Sequence, residues 1–386
     1  MKIKRAIQDE LTGLMKEYPV VTLTGPRQSG KTTLAKMTFP GYNYCNLENP
    51  EIRDLARKDA NAFFKMFSSP VIIDEIQRVP ELLSYIQTIV DSKNENGMFL
   101  LTGSNQLSLD QEVSQSLAGR TALLQLLPFS LFELRQLNLE YTRDEHIFNG
   151  FLPRIYDKQQ EPMKAYRNYF QTYIERDIRQ LIKIKDLGSF EDFMKLLAGR
   201  VGQLLNLNSL SNDLGISSTT LAQWLSVLEA SFIIFRLRPY YENFGKRIIK
   251  SPKVYFTDVG LVTYLLGIEN PEQVSRDPLL GGLFENMVVM EAVKGRLNKG
   301  LDANLYFFRD NNGNEIDLIY KKHNKLVPVE IKAAMTFSDK LLKGIKYFQK
   351  ISSKSDTGYL IYSGDMDLKG EKYNVIHYSN TYQIFS

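Results

Sequence analysis

The chemistry legible in this chain starts at one loop. Gly25, Pro26, Arg27, Gln28, Ser29, Gly30, Lys31 and Thr32, followed by Thr33, fit the spacing G-x-x-x-x-G-K-[ST]. That spacing suits a polyphosphate. Glycine tolerates positive φ and has no Cβ, so the backbone can wrap an anion closely. Successive N–H groups and the positive end of the following helix then point at the charge. Lys31 is placed for the β- and γ-phosphates, and the Thr32 hydroxyl for Mg2+. ATP and Mg2+ are the expected ligands. Asp74 and Glu75 close the apolar run 71–73. There Asp74 suits Mg2+, directly or through water, and Glu75 suits orienting and polarising the attacking water. Ser104 and Asn105 close a further apolar run that begins at 98. Either suits contact with the γ-phosphate or the water, and Asn105 is the favoured one.

These groups need elements to hold them. The β-branched run 20–24 reads as a buried strand, and 32–37 as the helix that must follow the loop. Runs 42–47, 71–74, 98–103 and 122–127 read as four further strands. Asn49 and Pro50 have the chemistry of an N-cap and a first helical residue. Ile3, Ala6, Ile7, Leu11, Leu14 and Met15 recur at helical spacing ahead of the first strand.

The order of phosphate loop, Asp-Glu strand and polar-ended strand resembles the AAA+ ATPases. More narrowly, the chain resembles a prokaryotic AAA+ family that carries a C-terminal domain of unknown function. The residues that carry this are the loop 25–32, Asp74 to Gln77, Leu101 to Ser104, Leu117 to Arg120 with Leu127 to Phe129, and Tyr173 to Asp177. The resemblance covers nearly the whole chain. It implies a doubly wound α/β parallel sheet with nucleotide at the C-terminal edge of its strands. It also implies an arginine that reaches a γ-phosphate, often from a neighbouring subunit, and so a homo-oligomer. Arg120, Arg154 and Arg176 are the candidates, with Arg120 preferred.

Beyond the break at 148–153, the pattern 166–184 reads as a long helix, the expected lid over the nucleotide. Residues 206–255 resemble a winged helix-turn-helix. Ser209 and Ser217 are expected to cap its two helices, and Gly215 to make the turn. Leu221, Leu225 and Leu228 would be its apolar stripe. The second helix, 217–229, has no Lys or Arg, so it offers a DNA phosphate little attraction. The cations come later: Arg236, Arg238, Lys246, Arg247, Lys250 and Lys253. If DNA binds here, the wing carries the contact.

The last segment reads as a helix from 281 and strands at 305–309, 315–320 and 326–332. Residues two apart on a strand share a face, so Glu330 and Lys332 project together while Ile331 enters the core. A paired strand brings Asp317 beside them. This resembles the PD-(D/E)XK nucleases of restriction-endonuclease-like fold, with Glu285 matching the helix acid that some of them add. The resemblance implies a second divalent-metal site at Asp317 and Glu330, with Lys332 positioning or deprotonating a water. The expected domains are therefore an ATPase core at 1–147, a helical lid at 148–203, a winged helix at 204–270 and the nuclease-like α/β domain at 271–386.

Composition is compatible with this reading. The 386 residues are 43% hydrophobic and 24% charged, and the formal charge is +4. This permits nucleic acid as a partner without requiring it. With Cys45 as the only cysteine, no internal disulfide forms and a cysteine metal site is disfavoured; a reducing cytoplasm is expected. No apolar run approaches a membrane span, so no membrane partner is expected. Two accounts of function remain. One is an ATP-driven enzyme that binds or processes DNA. The other is an ATP-dependent switch or scaffold whose last domains bind protein partners and cut nothing. A small-molecule kinase is disfavoured, because Asp74 and Glu75 suit water activation.

Overall fold

The computed structural model describes residues 3–104, 116–178, 187–241 and 251–386. Asn105, Lys246, Arg247 and Lys250 lie outside the described residues, as does the Arg176 side chain. The chain divides into two compact units. One is Met1–Phe129 with Ala230–Phe232 and Leu297–Leu301; the other is Ser130–Glu229 with Ile233–Arg296 and Asp302–Ser386.

The first unit is built on five strands: β1 Val20–Thr24, β2 Asn43–Asn46, β3 Val71–Asp74, β4 Phe99–Gly103 and β5 Thr121–Gln125. Their order is β2-β3-β4-β1-β5, and every pair is parallel. β1 is buried along its whole length, as a strand covered on both faces must be. Alternate side chains feed two cores. Val20, Val71, Ile73, Phe99 and Leu101 pack with Phe63 and Ile86 on one face. Val21, Leu23, Ile72, Leu100 and Leu124 pack with Ile7, Leu11 and Leu34 on the other. Helix Gln8–Glu17 supplies Leu11, and helix Lys31–Thr38 supplies Leu34. Helix Pro50–Lys58 starts as its sequence indicates: the Asn49 side chain accepts from the Glu51 N–H at 2.9 Å. The parallel register aligns Thr24 with Gly103 and Ile73 with Leu101. The phosphate loop, Asp74 and Ser104 therefore leave the sheet at one common edge.

The second unit combines helices with an eight-stranded sheet. The long helical pattern appears as α-helix Pro162–Tyr169, which continues in π-helical geometry over Phe170–Ile178. Helices Leu207–Leu214 and Ser218–Ala230 follow, joined through Gly215 at φ 68°. The cap of the first differs from expectation. Asn206, not Ser209, accepts the first-turn hydrogen bond, and the Ser209 N–H is its donor at 3.1 Å. Ser217 Oγ does accept from the Thr220 N–H, at 3.1 Å. Leu221, Leu225 and Leu228 are buried.

Strands β6 Ile234–Pro239 and β7 Lys253–Phe256 form an antiparallel pair. β6 also pairs in parallel with β8 Leu305–Arg309. The sheet then runs through β9 Glu315–Lys322, β10 Lys325–Lys332, β11 Gly358–Tyr362, β12 Leu368–Lys369 and β13 Tyr373–His377, in the order β12-β13-β11-β10-β9-β8-β6-β7. The would-be wing thus shares one sheet with the C-terminal strands, across the boundary drawn at 270. Helix Leu280–Leu297 is buried over most of its length. Among the described residues, no helix is long and apolar enough to cross a membrane.

Candidate functional site

The phosphate loop is shaped by close backbone approach. Gly25 has φ 149°, and a Cβ there would lie 2.1 Å from the Leu126 carbonyl oxygen, so only glycine fits. Gln28 and Gly30 also take positive φ, at 63° and 95°. Lys31 is buried and donates to the carbonyls of Gly25 at 2.8 Å and Pro26 at 2.9 Å. Burial lowers its pKa to about 8, against the pull of the Glu75 and Asp74 carboxylates. Ser29 Oγ is buried and has no hydrogen-bond partner among the described residues. Arg27 pairs with Glu48 at 3.7 Å, and Thr33 is exposed.

Asp74 and Thr32 meet at the mouth of this loop. Thr32 Oγ1 lies 2.9 Å from one Asp74 carboxylate oxygen and 3.1 Å from the other. Asp74 also accepts from the Tyr44 hydroxyl at 3.0 Å and from Thr102 Oγ1. A hydroxyl and a carboxylate at this separation are the hard oxygen donors that Mg2+ takes. With the phosphate cradle beside them, the residues fit Mg-ATP.

Glu75 sits at φ 60°, ψ 47°, a left-handed conformation uncommon outside glycine. Its N–H donates to Thr102 Oγ1 at 3.3 Å. Its carboxylate accepts from Ser104 Oγ at 3.2 Å and from the Gln77 amide nitrogen. Ser104, one of the two polar-end candidates, is therefore in the site.

Arg120 is not in this chain's own site. It is bound by Asp91 through Nε at 2.6 Å and a terminal nitrogen at 2.9 Å. Its carbonyl accepts from the Val20 N–H, at the start of β1. Five strand residues, roughly 16 Å at 3.3 Å each, separate that edge from the loop. A role for Arg120 in catalysis would have to be played at a neighbouring copy. Arg154 is exposed on helix Pro153–Lys158.

The second unit brings Glu285, Asp317, Glu330 and Lys332 into one cluster, and adds Lys253, Tyr255 and Glu315 to them. Lys332 Nζ lies 2.7 Å from Asp317 and 2.5 Å from Glu330. Asp317 also accepts from the Ile331 N–H at 2.8 Å. The two carboxylates thus converge, as strand alternation requires, and Ile331 is buried. Lys253 of β7 lies 2.9 Å from Glu285 and 2.5 Å from Glu315, and the Tyr255 hydroxyl donates to Glu285 at 2.6 Å. Gly344 in helix Lys343–Ile351 lets that helix press on Glu330; a Cβ there would lie 1.7 Å from Glu330 Oε1.

Two ammonium groups, with the Arg309 guanidinium 3.2 Å from Glu315, therefore serve four carboxyl groups. Burial, then the Asp317 charge, pushes Glu330 up to about 9, so it is protonated at neutral pH. Burial also disfavours ionised Asp317, but Lys332 and Lys253 outweigh it and hold its pKa below the usual value. Among the described residues, no group of three or more His, Cys, Asp and Glu side chains is placed to hold a metal. The point common to Asp317 and Glu330 is taken by Lys332, so the cluster as it stands does not fit a divalent ion. Where one divalent-metal site was expected at Asp317 and Glu330, an ammonium stands instead, because the lysine on the same strand face reaches both acids.

Residues 17–135 match the family model of an AAA domain. Residues 141–272 and 280–381 match two models described as domains of unknown function, DUF8612 and DUF4143. The uncharacterized protein Rv2008c of Mycobacterium tuberculosis is 32% identical over 321 residues, covering 82% of this chain and 71% of that protein. The chain belongs to its family. Another uncharacterized protein, from Haemophilus influenzae, is 25% identical over 350 residues, 81% of this chain and 82% of that one. Among solved structures, the Walker-type ATPase PABY2304 of Pyrococcus abyssi aligns over 67% of this chain and 94% of that chain, with 15% identity and a TM-score of 0.45.

In this family member the first unit carries an ATP-binding AAA ATPase domain, followed by the two domains of unknown function. Sequence reading missed several residues that shape the ATPase site. Arg5, 6% exposed, donates to the carbonyls of Ser29 and Leu127, both at 2.7 Å. Tyr44, Thr102 and Gln77 contact the two acids. Only the proximity of Gln77 to Glu75 in the chain was visible beforehand. Lys253, grouped with the wing cations by sequence, is buried and paired with Glu285 and Glu315.

Proposed function

We propose that this protein is a Mg2+-dependent ATP hydrolase that works as a switch. Thr32 and Asp74 would hold Mg2+, Lys31 the β- and γ-phosphates, and Glu75 would polarise the attacking water, with Ser104 beside it. The observation that carries this is the 2.9 Å approach of the Thr32 hydroxyl to the Asp74 carboxylate at the mouth of the glycine loop. When bound, Mg2+ would neutralise charge developing on the phosphates. Phosphate release from purified protein with and without EDTA tests the reading. Lys31→Ala should remove nucleotide binding, and Glu75→Gln should keep binding and lose turnover. Wild-type turnover in Glu75→Gln protein would sink it.

For the second unit we propose a module that binds protein partners without cutting nucleic acid. The support is the Lys332 ammonium between Asp317 and Glu330. DNA draws less support, because two of the expected wing cations are used internally: Lys253 by Glu285 and Glu315, and Arg236 by Glu229. Plasmid incubated with the protein and Mg2+ or Mn2+ should stay uncut. Cleavage that Asp317→Asn abolishes would overturn this and restore the nuclease reading.

A further inference from the structure

The turn after β3 holds a side chain to which the ATPase reading gives no role. The left-handed backbone of Glu75 ends the strand and starts the 3-10 turn Ile76–Arg78. One turn of such a helix is three residues, so the amide of Gln77 can fold back onto the Glu75 carboxylate. Its Nε2 donates to Glu75 Oε2 and lies 3.2 Å from Ser104 Oγ, which itself donates to the same carboxylate oxygen at 3.2 Å. One carboxylate oxygen is thus gripped from two segments, the turn after β3 and the end of β4.

The orientation of the Gln77 amide is fixed by charge. The opposite orientation would set its carbonyl oxygen against Glu75 Oε2, two acceptors in contact without a proton. As it stands, Gln77 Oε1 is buried and has no partner among the described residues. An unsatisfied buried carbonyl is costly. A residue retained only for packing gains nothing from it. Holding the adjacent base is what the arrangement does achieve.

We propose that Gln77 is a positioning residue for hydrolysis. With Ser104 it clamps one oxygen of the Glu75 carboxylate, so that the other oxygen faces the attacking water in one fixed direction. This rests on the reading of Glu75 as the water-polarising group. Gln77 touches neither phosphate nor Mg2+ in this account, so it acts on turnover and not on nucleotide affinity.

The test is steady-state ATP hydrolysis and nucleotide binding for Gln77→Ala, Gln77→Glu and, in parallel, Glu75→Gln. Gln77→Ala should lower kcat on the order of 10–100-fold, the scale of a misplaced reacting group, with nucleotide Kd changed less than about twofold. Gln77→Glu keeps the shape of the side chain, so it stays informative if the alanine variant folds poorly. It replaces the amide donor facing Glu75 by an acceptor and should lower kcat at least as far as Gln77→Ala, again with nucleotide Kd changed less than about twofold. A residue with only a structural role would not separate kcat from nucleotide affinity in this way. Loss of turnover in Glu75→Gln with unchanged kcat in both Gln77 variants overturns this proposal alone. Wild-type turnover in Glu75→Gln overturns the reading beneath it.

Discussion

Arg5 donates a 2.7 Å hydrogen bond to the carbonyl oxygen of Ser29, and a second of the same length to that of Leu127. One buried guanidinium therefore ties the phosphate loop to the segment that follows β5, while its face lies 4.9 Å from the centroid of the Phe129 ring. The planar fork of arginine suits two acceptors at once.

Arg5→Ala should accordingly cost about 2–4 kcal/mol of stability, since two buried carbonyls lose a charged donor. Arg5→Lys should recover only part of this, because an ammonium is a point charge and not a fork. Thermal and urea unfolding measure both. Equal stability for wild type and Arg5→Ala would remove Arg5 from the account of the loop.

Nucleotide affinity should depend on the protonation of Lys31. Its pKa in the free protein is lowered to about 8, first by burial. Phosphate binds the ammonium, so binding takes up a proton once the pH exceeds that value. Affinity should be flat below about pH 8 and fall above it, by at most about tenfold per pH unit. Titration with a fluorescent ATP analogue from pH 6.5 to 9.5 checks this. In Lys31→Arg protein, whatever its absolute affinity, the break should vanish, because guanidinium does not titrate in that range.

Glu330 makes the second unit sensitive to alkali. Burial and the neighbouring Asp317 raise its pKa in the folded protein to about 9, above the ordinary 4.5. Both folded and unfolded chains bind the proton below 4.5, so the contribution to stability is complete there. It is lost progressively as pH rises toward 9, where the unfolded chain gives up the proton and the folded one holds it. Glu330→Gln keeps a neutral side chain of the same shape and should flatten this dependence. The difference in denaturant midpoint between variant and wild type should therefore grow from pH 5 to pH 9. A constant difference over that range would mean Glu330 is ionised in the folded protein.

Much of this protein was determined by its sequence alone. Apolar runs at 20–24, 71–74 and 98–103 can be stable only as buried strands, and observed strands lie within all three. The glycine loop followed by Lys31 and Thr32 is local, so its shape is encoded where it stands. Period-two alternation likewise put Glu330 and Lys332 on one face before any neighbour was known. What the tertiary structure decided was partnership between distant segments. Arg5 meets Ser29 across 24 positions, and Lys253 meets Glu285 across 32. Neither pair leaves a periodic or spaced signal, because nothing local to either residue changes when the other is found. The same holds for Lys332. Sequence put it beside two acids, but only packing under helix Lys343–Ile351 made those acids dry enough for an ammonium to stand where a metal ion was expected. Desolvation depends on what covers a group, and the cover comes from elsewhere in the chain.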